Sequence, residues 1–261
     1  MGFVLRTEPF ADADLSVDEF LGGRVRLLQP LSGYRAGVDP VLLAATIPAK
    51  AGNRVLELGC GAAPGLCCLG SRVPGLELHG LEVQAGYADL AVRNLVENGM
   101  QHRVWQSDLR KIPQELRQIS FDHVFANPPY FQAEMRKAAQ DGGREVALAG
   151  ETSLSDWVAL AARRSKPGGS VTFIQRAERL PELLAAFQDG LGSIELWPLV
   201  PRQGRAPRLV LLRGRKGGKT PFRFHPSQVL HAGARHEQDA ENYVALIRSV
   251  LRDGAALPFP D

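Results

Sequence analysis

The amino-acid sequence predicts an α/β protein with a doubly wound, mostly parallel sheet of seven strands and an antiparallel last strand. Seven short apolar or β-branched runs place strands near 53–58, 76–82, 102–106, 121–126, 169–175, 193–199 and 207–213. Amphipathic stretches near 62–72, 84–98, 153–165 and 178–190 supply helices between them. Such alternation gives parallel neighbours covered on both faces, because each helical crossover returns the chain to the same end of the sheet. No helix fits between the sixth and seventh strands, so that pair is expected to run antiparallel. Pro167-Gly-Gly169 reads as the stop that separates the third helix from the fifth strand.

A chain of 261 residues that is 44% hydrophobic can bury a sizeable core. Its expected division is an N-terminal segment over 1–50 that caps the ligand site, a main domain over 51–215, and a basic extension over 216–261 packed on that domain. No apolar run approaches the roughly 18 residues of a membrane span, and the N-terminal residues lack the basic-then-apolar pattern of a secretory leader. A cytoplasmic location is therefore expected. Cys60, Cys67 and Cys68 have neither a disulfide framework nor metal-ligand spacing, and the six histidines are scattered, so no metal is expected.

The first strand, Val55-Leu-Glu-Leu58, runs into Gly59-Cys-Gly-Ala-Ala-Pro-Gly65 and then into a helix. A strand, glycine turn and helix in that order form a nucleotide site, since Gly59 and Gly61 let the backbone turn tightly and approach a ligand. A dinucleotide is the competing ligand, but its third glycine is one residue late here and Pro64 interrupts the helix start. Glu57 is placed to face a ligand amine. These departures favour S-adenosyl-L-methionine.

Glu82 ends the second strand, where its carboxylate is expected to take both ribose hydroxyls, with Val83 beside it. The ordinary alternative for an acid at that place is a helix-start charge. After the third strand, Asp108 is expected to accept from the cofactor's adenine amine while Leu109 packs on the ring; a Ser-Asp helix cap is the alternative.

Asn127-Pro-Pro-Tyr130 follows the fourth strand directly. An exocyclic amine on a base is a poor nucleophile, because its lone pair is delocalised into the ring. The Asn127 carboxamide oxygen and the Pro128 carbonyl can accept from that NH₂ group and draw the lone pair toward an electrophile. Tyr130 is expected to stack on the base, and Asn127 to border the cofactor as well. The prolines stiffen the loop before substrate arrives. An Asn-Pro turn ending a strand is the ordinary alternative, and its position after a glycine turn decides against that. Segment 131–152 reads as a substrate loop.

Between Leu196 and His236 lie nine cations and no acid. Arg202, Arg205, Arg213, Arg215, Lys216, Lys219 and Arg223 are expected to bind RNA, with Trp197, Phe222 and Phe224 interleaved. A solvated face neutralised from elsewhere in the fold is the alternative.

Upstream, Gln29-Pro, Gly33-Tyr-Arg35 and Asp39-Pro-Val-Leu-Leu-Ala44 join Glu57-Leu-Gly-Cys-Gly61, Gly80-Leu-Glu-Val-Gln84, Asn127-Pro-Pro-Tyr-Phe131 and Arg176-Ala-Glu-Arg-Leu-Pro181 in one series. In these stretches, and in Arg215-Lys-Gly-Gly-Lys-Thr-Pro-Phe222, the chain resembles the bacterial tRNA valine adenine-N6 methyltransferases over nearly its whole length. The resemblance implies a Rossmann-like class I methyltransferase that uses S-adenosyl-L-methionine to methylate an adenine beside a tRNA anticodon. By position it implies that Tyr34, Arg35 and Asp39 close over the cofactor, that Gly59, Gly61 and Glu82 bind it, and that Asn127 and Tyr130 form the amine site. The Asn-Pro-Pro-Tyr motif is shared with enzymes acting on ribosomal guanine N2, cytosine N4 or a protein glutamine. A catalytically silent RNA-binding scaffold is the non-enzymatic alternative.

Overall fold

The computed structural model describes residues 6–129, 152–233 and 242–261. Tyr130 and nearly all of the expected substrate loop lie outside the described residues.

An antiparallel hairpin that the sequence reading did not anticipate, β1 (Leu15–Phe20) and β2 (Val25–Pro30), precedes the main sheet. Helix α1 (Asp39–Thr46) then leads into the alternation β3 (Arg54–Leu58), α2 (Pro64–Arg72), β4 (Glu77–Glu82), α3 (Ala85–Glu97) and β5 (His102–Gln106). A short α4 (Gln114–Arg117) precedes β6 (Phe121–Ala126). After residues 130–151 come α5 (Leu154–Arg164), β7 (Ser165–Arg176), α6 (Leu180–Gln188), β8 (Gly192–Val200) and β9 (Leu209–Arg215). Two further strands, β10 (Arg223–Phe224) and β11 (Gln228–Val229), pair with the outer side of β8, and α7 (Ala245–Asp253) follows.

Seven strands run in the order β8-β9-β7-β6-β3-β4-β5. β9 is antiparallel to both β7 and β8, so it alone is reversed in that set, as the missing helix before it required. The other six share one direction, and their carboxyl ends share one edge.

Central strands are apolar at successive positions because both faces are covered. On one face Phe125 and Val55 pack with Leu42, Leu66, Leu95 and Ile247 from α1, α2, α3 and α7. On the other, Leu56, Val124 and Phe173 pack with Leu116, Val158 and Phe187 from α4, α5 and α6. Phe121, Phe125 and Phe173 are fully buried, each stabilising the fold by roughly 1.5–3 kcal/mol relative to exposure. α5 begins at a reciprocal cap: Ser153 Oγ accepts from Asp156 N at 3.1 Å, and Asp156 Oδ2 accepts from Ser153 N at 3.1 Å.

The hairpin docks on α3 through side-chain amides that stand in for a missing strand partner. Asn94 Oδ1 accepts from Leu28 N at 2.7 Å, while its Nδ2 donates to the carbonyls of Leu28 (3.0 Å) and Ala62 (2.9 Å). Asn98 brackets Arg26 in the same way. Buried Asn94 thereby ties the hairpin to the glycine turn. No helix among the described residues is long and apolar enough to cross a membrane.

His123 on β6 is buried between Ser170 Oγ (2.8 Å to Nδ1) and Asn53 Oδ1 (3.2 Å to Nε2). Desolvation lowers its pKa to about 4, outweighing the opposite pull of Asp122. The folded state thus refuses a proton that the unfolded chain takes up near pH 6.5. Stability from this group is complete above about 6.5 and falls as pH drops toward 4, by about 3 kcal/mol in all. Denaturant titrations of the wild type and His123→Gln between pH 7 and 4 are expected to differ by that slope; parallel curves would remove the assignment.

Candidate active site

Register places the expected ligand-binding residues on three adjacent strands. Leu58 of β3 lies opposite Ala126 of β6 on one side and Leu81 of β4 on the other. Gly59, Glu82 and Asn127 therefore emerge side by side at the carboxyl edge, where an open α/β sheet holds ligands.

The glycine turn is shaped by backbone demands. Gly59 (φ +62°) and Gly61 (φ +54°) occupy the left-handed region. A Cβ on Gly59 would lie 2.5 Å from Cη2 of Trp157, so the α5 indole rests directly on the turn. A Cβ on Gly61 would meet nothing within 4 Å, leaving bare backbone on the open side of the turn. That asymmetry fits a flat ligand lying against Gly61.

Glu82 is buried, with Oε2 accepting from Gly61 N at 3.0 Å and Oε1 from Gln84 N at 2.9 Å. Burial raises its pKa against those amides. Each oxygen keeps a lone pair for a ribose hydroxyl. Val83 follows it with 39% of its surface exposed, an apolar contact at the strand end. Glu57 differs from expectation. Its buried carboxylate accepts from Leu66 N at 3.1 Å and fills the space a Cβ would take on Gly65, so it caps α2 from beneath and does not face the open side. Burial drives its pKa well up.

The segment ahead of α1 is held over the turn by the hairpin. Tyr87 hydroxyl receives from Tyr34 N at 3.0 Å and donates to Tyr34 O at 3.1 Å, and Gln29 Oε1 accepts from Ala36 N at 2.7 Å. Tyr34 is 53% exposed, yet its hydroxyl end is crowded; desolvation, then Asp39 and Glu57, push its pKa up to about 12. The tyrosine thus lies in the field of Asp39, at the start of α1, and of buried Glu57. Arg35 turns the other way. Its guanidinium bonds Asp18 (2.5 Å), Ser16 Oγ (2.8 Å) and Pro30 O (2.9 Å), so it fastens the segment to the hairpin and is not aimed at cofactor.

Asp108 realises the capping alternative. Its carboxylate takes Arg110 N at 2.8 Å and the Arg110 guanidinium at 2.7 Å, which lowers its pKa. The expected adenine contact therefore lacks a free-standing acceptor there, and Leu109 is partly buried against the core.

Asn127 Oδ1 is enclosed and has no hydrogen-bond partner among the described residues. An enclosed amide oxygen without a donor costs about 1–3 kcal/mol, a cost removed when a donor arrives. Beside it, buried Pro128 presents a carbonyl that accepts from Gln175 Nε2 at 3.3 Å.

The basic run does not form one surface. Arg213 is only 9% exposed and bonds Glu195 at 2.8 and 2.6 Å; Arg223 takes the other oxygen at 2.6 Å, and His225 adds a contact at 3.4 Å. Arg213 is committed to an ion cluster within the fold and is not placed to contact RNA, whereas Arg223 joins the cluster from an exposed position. Arg215 and Lys216 end the reversed strand, and exposed Lys219 follows them, so all three lie at the edge opposite Asn127, roughly 20 Å away along a seven-residue strand. Arg202 and Arg205 belong to the β8–β9 loop, on the same edge as Asn127, and Arg208 O accepts from Ala177 N at 3.0 Å.

Gln29 was read only as part of the Gln29-Pro stretch; Trp157, Tyr87 and Gln175 were not singled out from sequence. A lone polar residue ending the apolar run Val171-Thr-Phe-Ile-Gln175 was the signal available for the last of them.

Comparison with solved structures finds the same architecture. A predicted O-methyltransferase from Agrobacterium tumefaciens superposes with a TM-score of 0.67 at 20% identity, covering 85% of this chain and all of that one. The T. thermophilus 16S rRNA N2 methyltransferase, in complex with AdoMet and guanosine, gives 0.51 at 20% identity over 77% and 50% of the two chains. Fold and strand-edge site together are those of a class I methyltransferase dependent on S-adenosylmethionine. Residues 36–179, more than half the chain, match the methyltransferase small domain, and the protein belongs to that family. Among curated relatives, the tRNA1(Val) (adenine(37)-N6)-methyltransferases of Haemophilus influenzae and Actinobacillus succinogenes are 26% and 27% identical. Each match covers 68% of this chain, and 76% and 75% of the respective relatives.

Proposed function

We propose that the protein methylates the exocyclic N6 of an adenine in tRNA, next to the anticodon, and that it does so in the cytoplasm. The observation that carries this reading is the enclosed, unpartnered Asn127 oxygen beside the Pro128 carbonyl, one strand from the glycine turn. S-adenosylmethionine, when bound, supplies an electrophilic methyl on a sulfonium. Gly59 and Gly61 seat it, Glu82 holds its ribose, Val83 lies against its ring, and Tyr34 with Asp39 covers it from the hairpin side.

Asn127 and Pro128 accept the two hydrogens of the substrate amine. Those two hydrogen bonds orient the amine and draw its lone pair out of conjugation, toward the donor methyl. In-line displacement would break the sulfur–methyl bond as the nitrogen–methyl bond forms, leave a neutral thioether, and release one proton from the methylated amine to solvent. It needs no covalent enzyme intermediate, and the three buried cysteines, whose thiol pKa values burial raises, are unsuited to provide one. Alignment and exclusion of water supply most of the acceleration. Arg202, Arg205 and Arg208, on the same edge, supply phosphate contacts for the RNA.

The relatives' names support the tRNA and the adenine. The test is nucleoside mass spectrometry of bulk tRNA and rRNA incubated with the protein and labelled cofactor. N6-methyladenosine in tRNA is expected, and Arg202→Glu with Arg205→Glu should weaken that transfer most at low salt and flatten its dependence on salt. Methylguanosine in rRNA, or no methylated nucleoside in either RNA, would overturn the proposal.

Glu82→Ala is expected to weaken cofactor binding by about 1–3 kcal/mol, through loss of charged hydrogen bonds to ribose. Calorimetry reads this directly; unchanged affinity would remove Glu82 from the site.

A further inference from the structure

Two side chains on the β7–α6 connection grip the carbonyls of the Asn-Pro-Pro segment. Gln175 Nε2 donates to Pro128 O at 3.3 Å, and Arg179 Nη1 donates to Pro129 O at 3.3 Å. Each donor is itself fixed. Gln175 is fully buried at the end of β7, and its Oε1 accepts from Arg176 N at 2.8 Å, which dictates that the amide NH₂ faces Pro128. Arg179 is anchored by Glu182, whose oxygens receive its Nη2 at 3.1 and 3.0 Å.

Register makes the grip a property of the sheet. Ala126 pairs with Phe173, so Pro128 runs alongside Gln175 as the chain leaves β6. Proline has no amide hydrogen, so neither Pro128 nor Pro129 can continue the ladder as a donor. Their carbonyls are what remains to hold the segment, and both are taken from the same side.

We propose that Gln175 and Arg179 are positioning residues, and that Gln175 in particular orients the Pro128 carbonyl toward the substrate amine. This rests on the reading above that the carbonyl accepts from that amine. A carbonyl oxygen has two lone pairs; Gln175 occupies one and leaves the other for the substrate. Without that donor the carbonyl is free to rock about the Pro128 Cα–C bond, and the amine loses one of its two fixed acceptors. Arg179 restrains the next peptide through the Pro129 carbonyl.

The test has a readout that does not need turnover. Pro128-Pro129 is the single Pro-Pro pair in the sequence, so protein labelled with carbonyl-¹³C, ¹⁵N-proline gives one coupled carbonyl–nitrogen signal, that of Pro128. Gln175→Met, which keeps the length of the side chain and removes the donor, is expected to shift that carbonyl signal upfield. It should lower kcat by about 10- to 100-fold, the scale of a small misplacement of a reacting group, with cofactor Kd unchanged. Arg179→Ala should lower kcat with the same sparing of cofactor Kd. Gln175→Met with Arg179→Ala should cost less than the product of the two single effects.

An unmoved Pro128 signal in folded Gln175→Met protein would overturn the proposal, whether or not the enzyme reading stands. A moved signal with kcat intact would overturn the positioning role while leaving Asn127 as the amine acceptor. Should Gln175→Met fail to fold, Arg179→Ala carries the test: an unchanged kcat there would overturn the paired role.

Discussion

Asn127→Ala is expected to lower kcat by about 10²–10³-fold, the usual consequence of losing one preorganised polar group at a reacting centre. Cofactor affinity should stay nearly constant, because the glycine turn and Glu82 belong to β3 and β4 and the substituted side chain belongs to β6. The truncation also removes an enclosed oxygen that has no partner among the described residues, so the variant is expected to be at least as stable as the wild type. Loss of activity with gain of stability would mark the oxygen as held ready for a donor. Single-turnover kinetics, calorimetry and denaturant unfolding separate the three quantities. Retained turnover, or a large loss of cofactor affinity, would remove the proposed role.

The second large effect concerns stability. Glu195 is buried and surrounded by Arg213, Arg223 and His225, with Arg213 also stacked 4.1 Å over the Phe259 ring. Burial works against its ionised form, but hydrogen bonding and charge from Arg213, with Arg223 and His225, hold its pKa below the usual carboxylate value. Glu195→Leu leaves the Arg213 guanidinium buried without a counter-charge, and breaking such a pair costs about 3–5 kcal/mol. Adding Arg213→Met should recover most of that loss, since an apolar pair of similar volume does not need the charge. Urea unfolding measures both. A loss below about 1 kcal/mol in the single variant would mean that Arg213 escapes to solvent and is available to other partners after all.

The sheet and the glycine turn were legible because their signals are local: apolar runs of strand length, glycines at a strand end, proline where a helix must start. Glu82 and Asn127 were legible for the same reason, since a residue just after a strand is on the ligand edge whatever its neighbours. Direction within the basic run was not legible. A count of cations from 196 to 236 does not say that the chain crosses the sheet between Arg205 and Arg215, so that the run is divided between two edges. Arg213 had a sign that could have been read, a single charge in Leu211-Leu-Arg213 facing a single charge in Ile194-Glu-Leu196 on the partner strand. The hairpin was missed because Leu15-Ser-Val-Asp-Glu-Phe20 is half exposed and mixes polar residues into a short strand. It is held by Asn94 on α3 and by Asn98 just past its end, some 70 residues away in sequence. Arg35 and Asp108 were misread for a related reason: a charged side chain near a ligand edge is taken by the nearest fixed counter-group, Asp18 in one case and Arg110 in the other.

The indole of Trp157 leaning on Gly59 makes the donor pocket optically addressable. Of the three tryptophans, Trp105 stacks on His79 and Trp197 donates to Pro226, both within the protein interior, so Trp157 is the emitter in contact with the turn. A ligand seated on the turn is expected to change the Trp157 emission, so that a titration would rank ligands without labels and without a catalytic cycle.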